Sequence, residues 1–310
     1  MIPRVVLAPL AGGPFTPELA AAVSNAGGLG FVAAGYLSAE TLRERIRATR
    51  ALTDRPIGVN LFVLHEQPVD EAAVAAYGER LAREGFELGE PHFDDDELAA
   101  KIQVVAEERV PVVSTTFGPP PTELVARVPE VWATVTTPEE ARRALAAGAR
   151  VLVLQGAEAG GHRGSWDDAD GPDLPVRELV AQTRGLGVPL VAAGGLDHVP
   201  QGADAVQAGT AFLLCPEAGT SEPHRRALAE GRATAVTRAF TGRRARGLVN
   251  RFMTEHEDAP KAYPHVHHLT APLRAAARAA GDPEALNLWA GAGAAPRAQP
   301  AADVVARLGA

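Results

Sequence analysis

The residues best placed to do chemistry in this sequence lie in one short stretch, QGAEAGGHRG, from Gln155 to Gly164. Glu158, His162 and Arg163 stand there among Gly156, Gly160, Gly161 and Gly164. An imidazole can move a proton near neutral pH, and a guanidinium can hold an anion. Glycine allows positive φ and lets a ligand sit against bare N–H groups. The plainer reading is a surface turn with one solvated histidine. Three further exits carry glycine: APLAGG at 8–13, AAGG at 192–195 and QAGT at 207–210. Backbone N–H groups at Gly194, Gly195, Gly209 and Thr210, with the Thr210 hydroxyl, suit a phosphomonoester such as that of FMN or a phosphosugar. None of these glycines belongs to a GxGxxG or GxxxxGK[ST] pattern, so dinucleotide and P-loop readings lack support.

Other candidates carry weaker signals. Asn60 and Gln155 each close a predicted strand. Their amides can bond both edges of a heterocycle, or merely tie down a loop. His265, His267 and His268 lack the i, i+4 helical spacing of a metalloprotease motif and have no cysteine beside them, so no metal site is expected. The run Asp94-Asp95-Asp96-Glu97 reads as acidic charge at a helix start, complementing the dipole, rather than as metal ligands. Arg243, Arg244 and Arg246 read as a solvated face, with anion binding or pairing across a subunit contact as the alternatives.

These side chains must be positioned by something, and the pattern around them is regular. Short apolar runs at 5–8, 29–33, 57–62, 111–115, 131–135, 151–155, 190–193 and 205–208 have the unalternating character of buried parallel strands. Between them lie helical stretches: 17–26 behind a Thr16-Pro17 cap, 38–52, 70–84, 94–108, and a helix to Ala147 behind Thr137-Pro138. Eight strands mostly separated by helices predict a (β/α)₈ barrel whose glycine exits open on one face. A two-domain doubly wound protein is the competing architecture, but no Pro/Gly-rich linker splits the first 215 residues. The connections at 118–130 and 195–204 are too short for full helices, so some outer helices are shortened. Residues 1–215 read as the barrel, and 216–310 as a mainly helical appendage packed on it.

Composition narrows the field. Hydrophobic residues make up 46% of the 310 and charged residues 22%, a globular balance that can bury a large core. The net charge of −8 argues against a nucleic-acid partner. The single cysteine, Cys215, excludes an internal disulfide and suits a reducing cytoplasm. No apolar run approaches the roughly 18 residues of a membrane span, and the opening residues lack a signal-peptide pattern. A cytoplasmic protein without membrane contact is expected.

APLAGG, GVNLF, ATVTTPEEA, QGAEAGGHRG, VAAGG, AVQAGTAFLLCPEA and TGRRARGLVNRF occur in this order along nearly the whole chain. In this the sequence resembles the nitronate monooxygenases, formerly called 2-nitropropane dioxygenases. The resemblance implies an FMN-dependent (β/α)₈ barrel that oxidises alkyl nitronates with O₂. It implies flavin contacts at Ala8, Pro9 and Leu10, at the amides of Asn60 and Gln155, and at Gly160 and Gly195. The phosphate would lie against Gln207, Ala208, Gly209 and Thr210, and His162 would be the catalytic histidine. That histidine would take the α-proton of a nitroalkane when neutral, or hold a nitronate's charge as imidazolium.

The chain departs from the family pattern at three places. A helix is missing between AAGG and ADAVQAGT, and a few residues are missing before PEVWATV. Ala294 and Ala295 stand where the family often has an aromatic or basic residue. The first two departures bear on barrel packing and the phosphate site, the third on substrate choice. A strand face left bare would be covered by another segment or a second subunit, so a homodimer is one expectation. Two other functions compete: an FMN-dependent NADH:quinone or enoyl-thioester reductase, and a non-catalytic flavin- or phosphate-binding barrel.

Overall fold

The computed structural model describes residues 2–170, 173–293 and 295–310. The chain opens with β1 (Val5–Leu7), α1 (Pro17–Asn25), β2 (Gly30–Ala33), α2 (Ala39–Arg50) and β3 (Ile57–Phe62). Then come α3 (Glu71–Arg83), α4 (Leu98–Glu107), β4 (Val112–Thr116), α5 (Thr122–Arg127), β5 (Glu130–Val135), α6 (Pro138–Ala146) and β6 (Val151–Gln155). The caps are those the sequence predicts. The Thr16 side chain accepts from Leu19 N at 3.0 Å, with Pro17 in the first turn, and Thr137 accepts from Glu140 N at 3.1 Å. The acidic run stands one step ahead of its expected place, because α4 begins at Leu98. Its Asp96 is buried against Lys101, 2.6 Å away.

After β6 the chain forms β7 (Gly161–His162), α7 (Val176–Thr183), β8 (Leu190–Ala193) and β9 (Ala205–Ala208). Eight strands pair in parallel in the order β1-β9-β8-β6-β5-β4-β3-β2. Leu7 N donates to Leu29 O at 3.0 Å and Leu29 N to Val5 O at 2.9 Å, which brings β1 and β2 together and closes the barrel. Alternate residues of each strand face inward. Val6, Phe31, Trp132, Val153 and Val191 fill the interior, with Phe31 and Trp132 ring to ring at 5.7 Å. Val5 and Leu7 face the outer layer instead.

The rest of the chain comprises α8 (Glu222–Ala229), β10 (Thr234–Thr237), β11 (Ala245–Leu248), α9 (Arg251–Glu255), α10 (His265–Leu269), α11 (Ala271–Ala280) and α12 (Ala301–Gly309). Beside its helices this segment contributes two strands that the sequence reading did not anticipate. They join β7 in an antiparallel sheet of order β10-β11-β7.

The two short connections leave the barrel intact. The six-residue α5 covers the first. Residues 195–204 form no helix, yet β8 and β9 pair in register from Val191↔Ala205 to Ala193↔Gln207. The exposed flank is filled from within the chain: Leu196 and Val199 pack with Val304, Val305 and Leu308 of α12, which also meet Val5 and Leu19. Among the described residues no helix is long and apolar enough to cross a membrane.

Candidate active site

A cavity of about 420 Å³ opens at the carboxyl ends of the barrel strands. Each strand brings its candidates to it. β1 contributes Ala8, Pro9 and Leu10; β3 contributes Asn60; β6 and its loop contribute Gln155, Gly160 and His162. β8 adds Gly194 and Gly195, and β9 adds Gln207, Ala208, Gly209 and Thr210. Residues scattered over 200 positions of sequence thus share one cavity, because parallel strands all end on the same face.

The loops are held close by their glycines. Gly195 has φ +64°, and a Cβ there would stand 3.0 Å from Ala292 O. At Gly160 a Cβ would lie 2.5 Å from the backbone of Ala290 and Gly291. Only glycine allows this approach, which brings the 291–293 stretch over the β6 and β8 exits. Gly291 N donates to Thr210 Oγ1 at 2.9 Å, and Ala292 N to Glu158 O at 2.8 Å.

The three charged or ionisable residues of QGAEAGGHRG part ways. Only His162 lines the cavity. The Glu158 carboxylate accepts from Val176 N at 3.0 Å and caps the start of α7. Arg163 is buried beneath the loop, donating to Gly156 O at 2.5 Å and pairing with Asp173 at 3.3 Å. Gln155 is also engaged with its own loop. Its Nε2 donates to His162 O at 3.0 Å and its Oε1 accepts from Gly164 N at 2.7 Å, leaving one N–H for a ligand. Asn60 is buried, with Nδ2 donating to Ser114 Oγ at 2.8 Å and Thr116 Oγ1 at 3.0 Å, so its Oδ1 acceptor is the end left over.

Reading Arg243, Arg244 and Arg246 as a solvated face is corrected. They brace the loop from β11 and the turn before it. Arg243 is buried, donates to Arg163 O and Ser165 O, and lies 4.2 Å over the Phe117 ring. Arg244 pairs with Asp168 and Asp173 at 3.3 and 3.4 Å, and Arg246 donates to Ala157 O at 3.2 Å. The pairing with aspartate is real, but it lies within one chain. The sheet register sets His162 opposite Ala245, which holds the imidazole against the appended segment rather than in a free loop.

His162 Nε2 lies 2.9 Å from Thr241 Oγ1, and Nδ1 has no hydrogen-bond partner among the described residues. Thr241 can serve either tautomer, since its hydroxyl lies 3.3 Å from Arg243 O and accepts from Arg243 N at 3.4 Å. Trp289, Tyr263 and Phe117 surround the ring, with centroids 5.4, 5.6 and 6.1 Å away. Burial, reinforced by the Arg243 and Arg274 guanidiniums, pushes the imidazole pKa down to about 3. His162 is therefore held in the neutral form near pH 7, the form expected to exchange a proton with a nitroalkane.

The positive charge comes from elsewhere. Arg274 lines the cavity, donating to His267 O at 2.7 Å and Thr270 Oγ1 at 3.2 Å, without an ion pair to a described carboxylate. Burial lowers its pKa to about 10, still fully charged at neutral pH. Sequence reasoning missed this residue, and also Tyr36, His267 and Trp289. Tyr36 follows β2, stacks on His267 at 4.2 Å and has φ +68°; Phe117 follows β4 with φ +77°. Left-handed backbone at two bulky aromatics is costly and marks a functional wall. The Tyr36 strain is held by Asp96, whose Oδ1 accepts from Tyr36 N at 2.8 Å. His267 belongs to the histidine cluster of KAYPHVHHL, whose spacing gives no sign that it faces the cavity. Ala295 lines the cavity, whereas Ala294 lies outside the described residues.

Comparison with known proteins agrees with this geometry. Nitronate monooxygenase is the family whose pattern matches, over residues 1–310. A nitronate monooxygenase of Pseudomonas aeruginosa is 41% identical over 98% of this chain and 94% of its own. A probable nitronate monooxygenase of Bacillus subtilis is 34% identical over 93% and 89%. Among solved structures, a nitroalkane oxidase from Streptomyces ansochromogenes superposes with a TM-score of 0.93 at 47% identity, over 98% of this chain and 94% of that one. FabK from Thermotoga maritima is more distant, with a TM-score of 0.77 at 26% identity over 98% and 91%. With a family pattern matched over the whole chain and relatives this similar over nearly its full length, the chain belongs to the nitronate monooxygenase family.

Proposed function

We propose that the chain is a cytoplasmic, FMN-dependent enzyme that oxidises alkyl nitronates with O₂. The observation that carries this reading is geometric: Arg274 lines the same cavity as His162, donates to His267 O and Thr270 Oγ1, and lacks a carboxylate partner among the described residues. Such a wall suits an organic anion, and a nitronate is one.

The residues present fit a bound FMN. Gly194, Gly195, Gly209 and Thr210 line the cavity, where backbone N–H groups suit a phosphate, and Asn60 and Gln155 offer amide ends to a heterocycle. Gly194, Gly195, Gln207, Ala208, Gly209 and Thr210 would hold the phosphate end. Ala8, Pro9, Leu10, Asn60, Gln155 and Gly160 would hold the ring system. Bound there, FMN supplies the redox chemistry, taking reducing equivalents from the nitronate and passing them to O₂.

The protein's part is placement and charge. Arg274 draws the anion into a cavity walled by Tyr36, Phe117 and Trp289. With the Thr241 hydroxyl donating to Nε2, His162 carries its proton on Nδ1 and can donate it to a nitro oxygen. In the other tautomer Nδ1 is an acceptor, but an imidazole held near pKa 3 is a weak base towards a neutral nitroalkane. The pre-formed nitronate is therefore the better substrate.

The test combines identification with turnover. Acid release and chromatography should recover FMN, not FAD. Oxygen uptake should be faster with an alkyl nitronate than with the parent nitroalkane. Anaerobic bleaching of the flavin by NADH but not by a nitronate would replace this reading with that of a reductase.

A further inference from the structure

We infer that Arg307, at the far end of the chain, meets the cofactor's phosphate with a full positive charge. This rests on the FMN reading above. Arg307 stands in the last turn of α12 and lines the same cavity as Gly194, Gly195, Gly209 and Thr210. Its side chain makes no hydrogen bond or ion pair with any described residue, and its Nε is buried without a partner. A buried N–H left unmade is costly, so a guanidinium in this condition wants an acceptor in the cavity beside it.

Two plainer explanations fall short. A basic residue in a helix's last turn complements the dipole, but that does not require it to point into a cavity. Asp197 also lines the cavity and feels the charge of Arg307, yet it is exposed, bound to His198 at 2.6 Å, and forms no ion pair with Arg307. A phosphomonoester supplies what is missing. It carries close to two negative charges, and its oxygens match the planar fork of a guanidinium. Backbone N–H groups of the glycine loops offer only partial charge towards it.

The helix that carries Arg307 is well anchored. Val304, Val305 and Leu308 pack in the outer layer with Val5 and Leu19, and Ala301 N donates to Glu217 Oε1 at 3.1 Å. A rigid helix can present a charge to a fixed point without the entropy cost of ordering a loop. The same helix covers the flank left by the missing one between β8 and β9. The truncated connection and the phosphate charge thus share one structural element.

Riboflavin lacks the phosphate and provides the control. Protein freed of bound flavin is titrated with FMN and with riboflavin, following flavin fluorescence, for wild type, Arg307→Met and Arg307→Lys. Arg307→Met should weaken FMN about 10–100-fold while leaving riboflavin within about twofold of wild type. Arg307→Lys, which keeps charge but not the fork, should fall between, and the salt dependence of FMN binding should flatten in Arg307→Met. Unchanged FMN affinity in Arg307→Met, or equal weakening of both flavins, overturns the inference and leaves the FMN reading standing. Should Arg307→Met fail to fold, Arg307→Lys decides by the same ratio of FMN to riboflavin affinity. If wild-type protein binds neither flavin, the FMN reading falls, and this inference with it.

Discussion

Two regions build the cavity, and they build it from different materials. The barrel strand ends supply mainly backbone and amides: glycine N–H groups at β8 and β9, a proline-leucine turn at β1, and two amides at β3 and β6, with Tyr36, Phe117 and His162 as their ring-bearing side chains. The segment beyond Cys215 supplies further side chains: the Thr241 hydroxyl against His162, Trp289 and Tyr263 around it, and the cavity-lining charges of Arg274 and Arg307. Backbone donors are preorganised by the strand register and tolerate almost any sequence that keeps the glycines. Side-chain walls depend on how a long excursion folds back. The barrel half thus suits holding a constant group, and the appended half suits choosing what reacts with it.

The sharpest way to break this division is at a backbone site. In Gly209→Asp the new Cβ would stand 3.1 Å from Leu10 Cδ2 and 3.3 Å from Ala8 Cβ, with a carboxylate facing the phosphate site. Like charges about 4 Å apart near a protein surface repel by about 4 kcal/mol, so FMN affinity should fall on the order of 10³-fold with the barrel still folded. Unchanged flavin content on purification would place the phosphate elsewhere.

A comparably large effect should appear in pH dependence, and it belongs to the appended half and the barrel loop packed against it. Burial holds His162, His224 and His267 down to about 3, 4 and 2. Unfolded histidines titrate near 6.5, so below that pH the unfolded chain binds protons that the folded chain refuses. Stability is present in full above pH 6.5 and drains away as pH falls. At pH 5.5 each histidine costs about 1.4 kcal/mol, or about 4 kcal/mol for the three. Denaturant unfolding at pH 7.5 and 5.5 measures this, and His224→Gln should recover about a third of the difference. Equal stability at both pH values would show that these rings are not buried neutral.

The smallest effect expected is on turnover. His162→Asn should keep its flavin and lose about 10–100-fold in kcat/KM for a nitronate, the worth of one hydrogen bond to a charged group. The parent nitroalkane, already slow in wild type, should lose no more than this. A much larger loss for the nitroalkane would restore His162 as a base and show that an anion in the cavity lifts its pKa.

Much of this was legible in the residues. The strand runs, the Thr16-Pro17 and Thr137-Pro138 caps and the glycine exits follow from local rules, and the strands fall within a residue or so of their predicted ends. Glu158 shows where such reading stops. It stands four residues from His162 in a loop dense with glycine, yet its carboxylate turns to cap α7, accepting from Val176 N 18 positions away. Gln155 likewise divides its amide between a ligand end and its own loop.

By itself the sequence determined the barrel, the face on which its loops open and the strand ends that carry glycine and amide. Periodicity, caps and breakers act over a few residues, and parallel strands leave little choice of topology. Only the tertiary structure decided that TGRRARG braces a loop 80 residues away, that His162 is neutral, and that the last helix covers the flank of a missing one while pointing Arg307 into the cavity. Those outcomes depend on desolvation and on contacts between distant segments, and neither is encoded in the spacing of neighbouring residues.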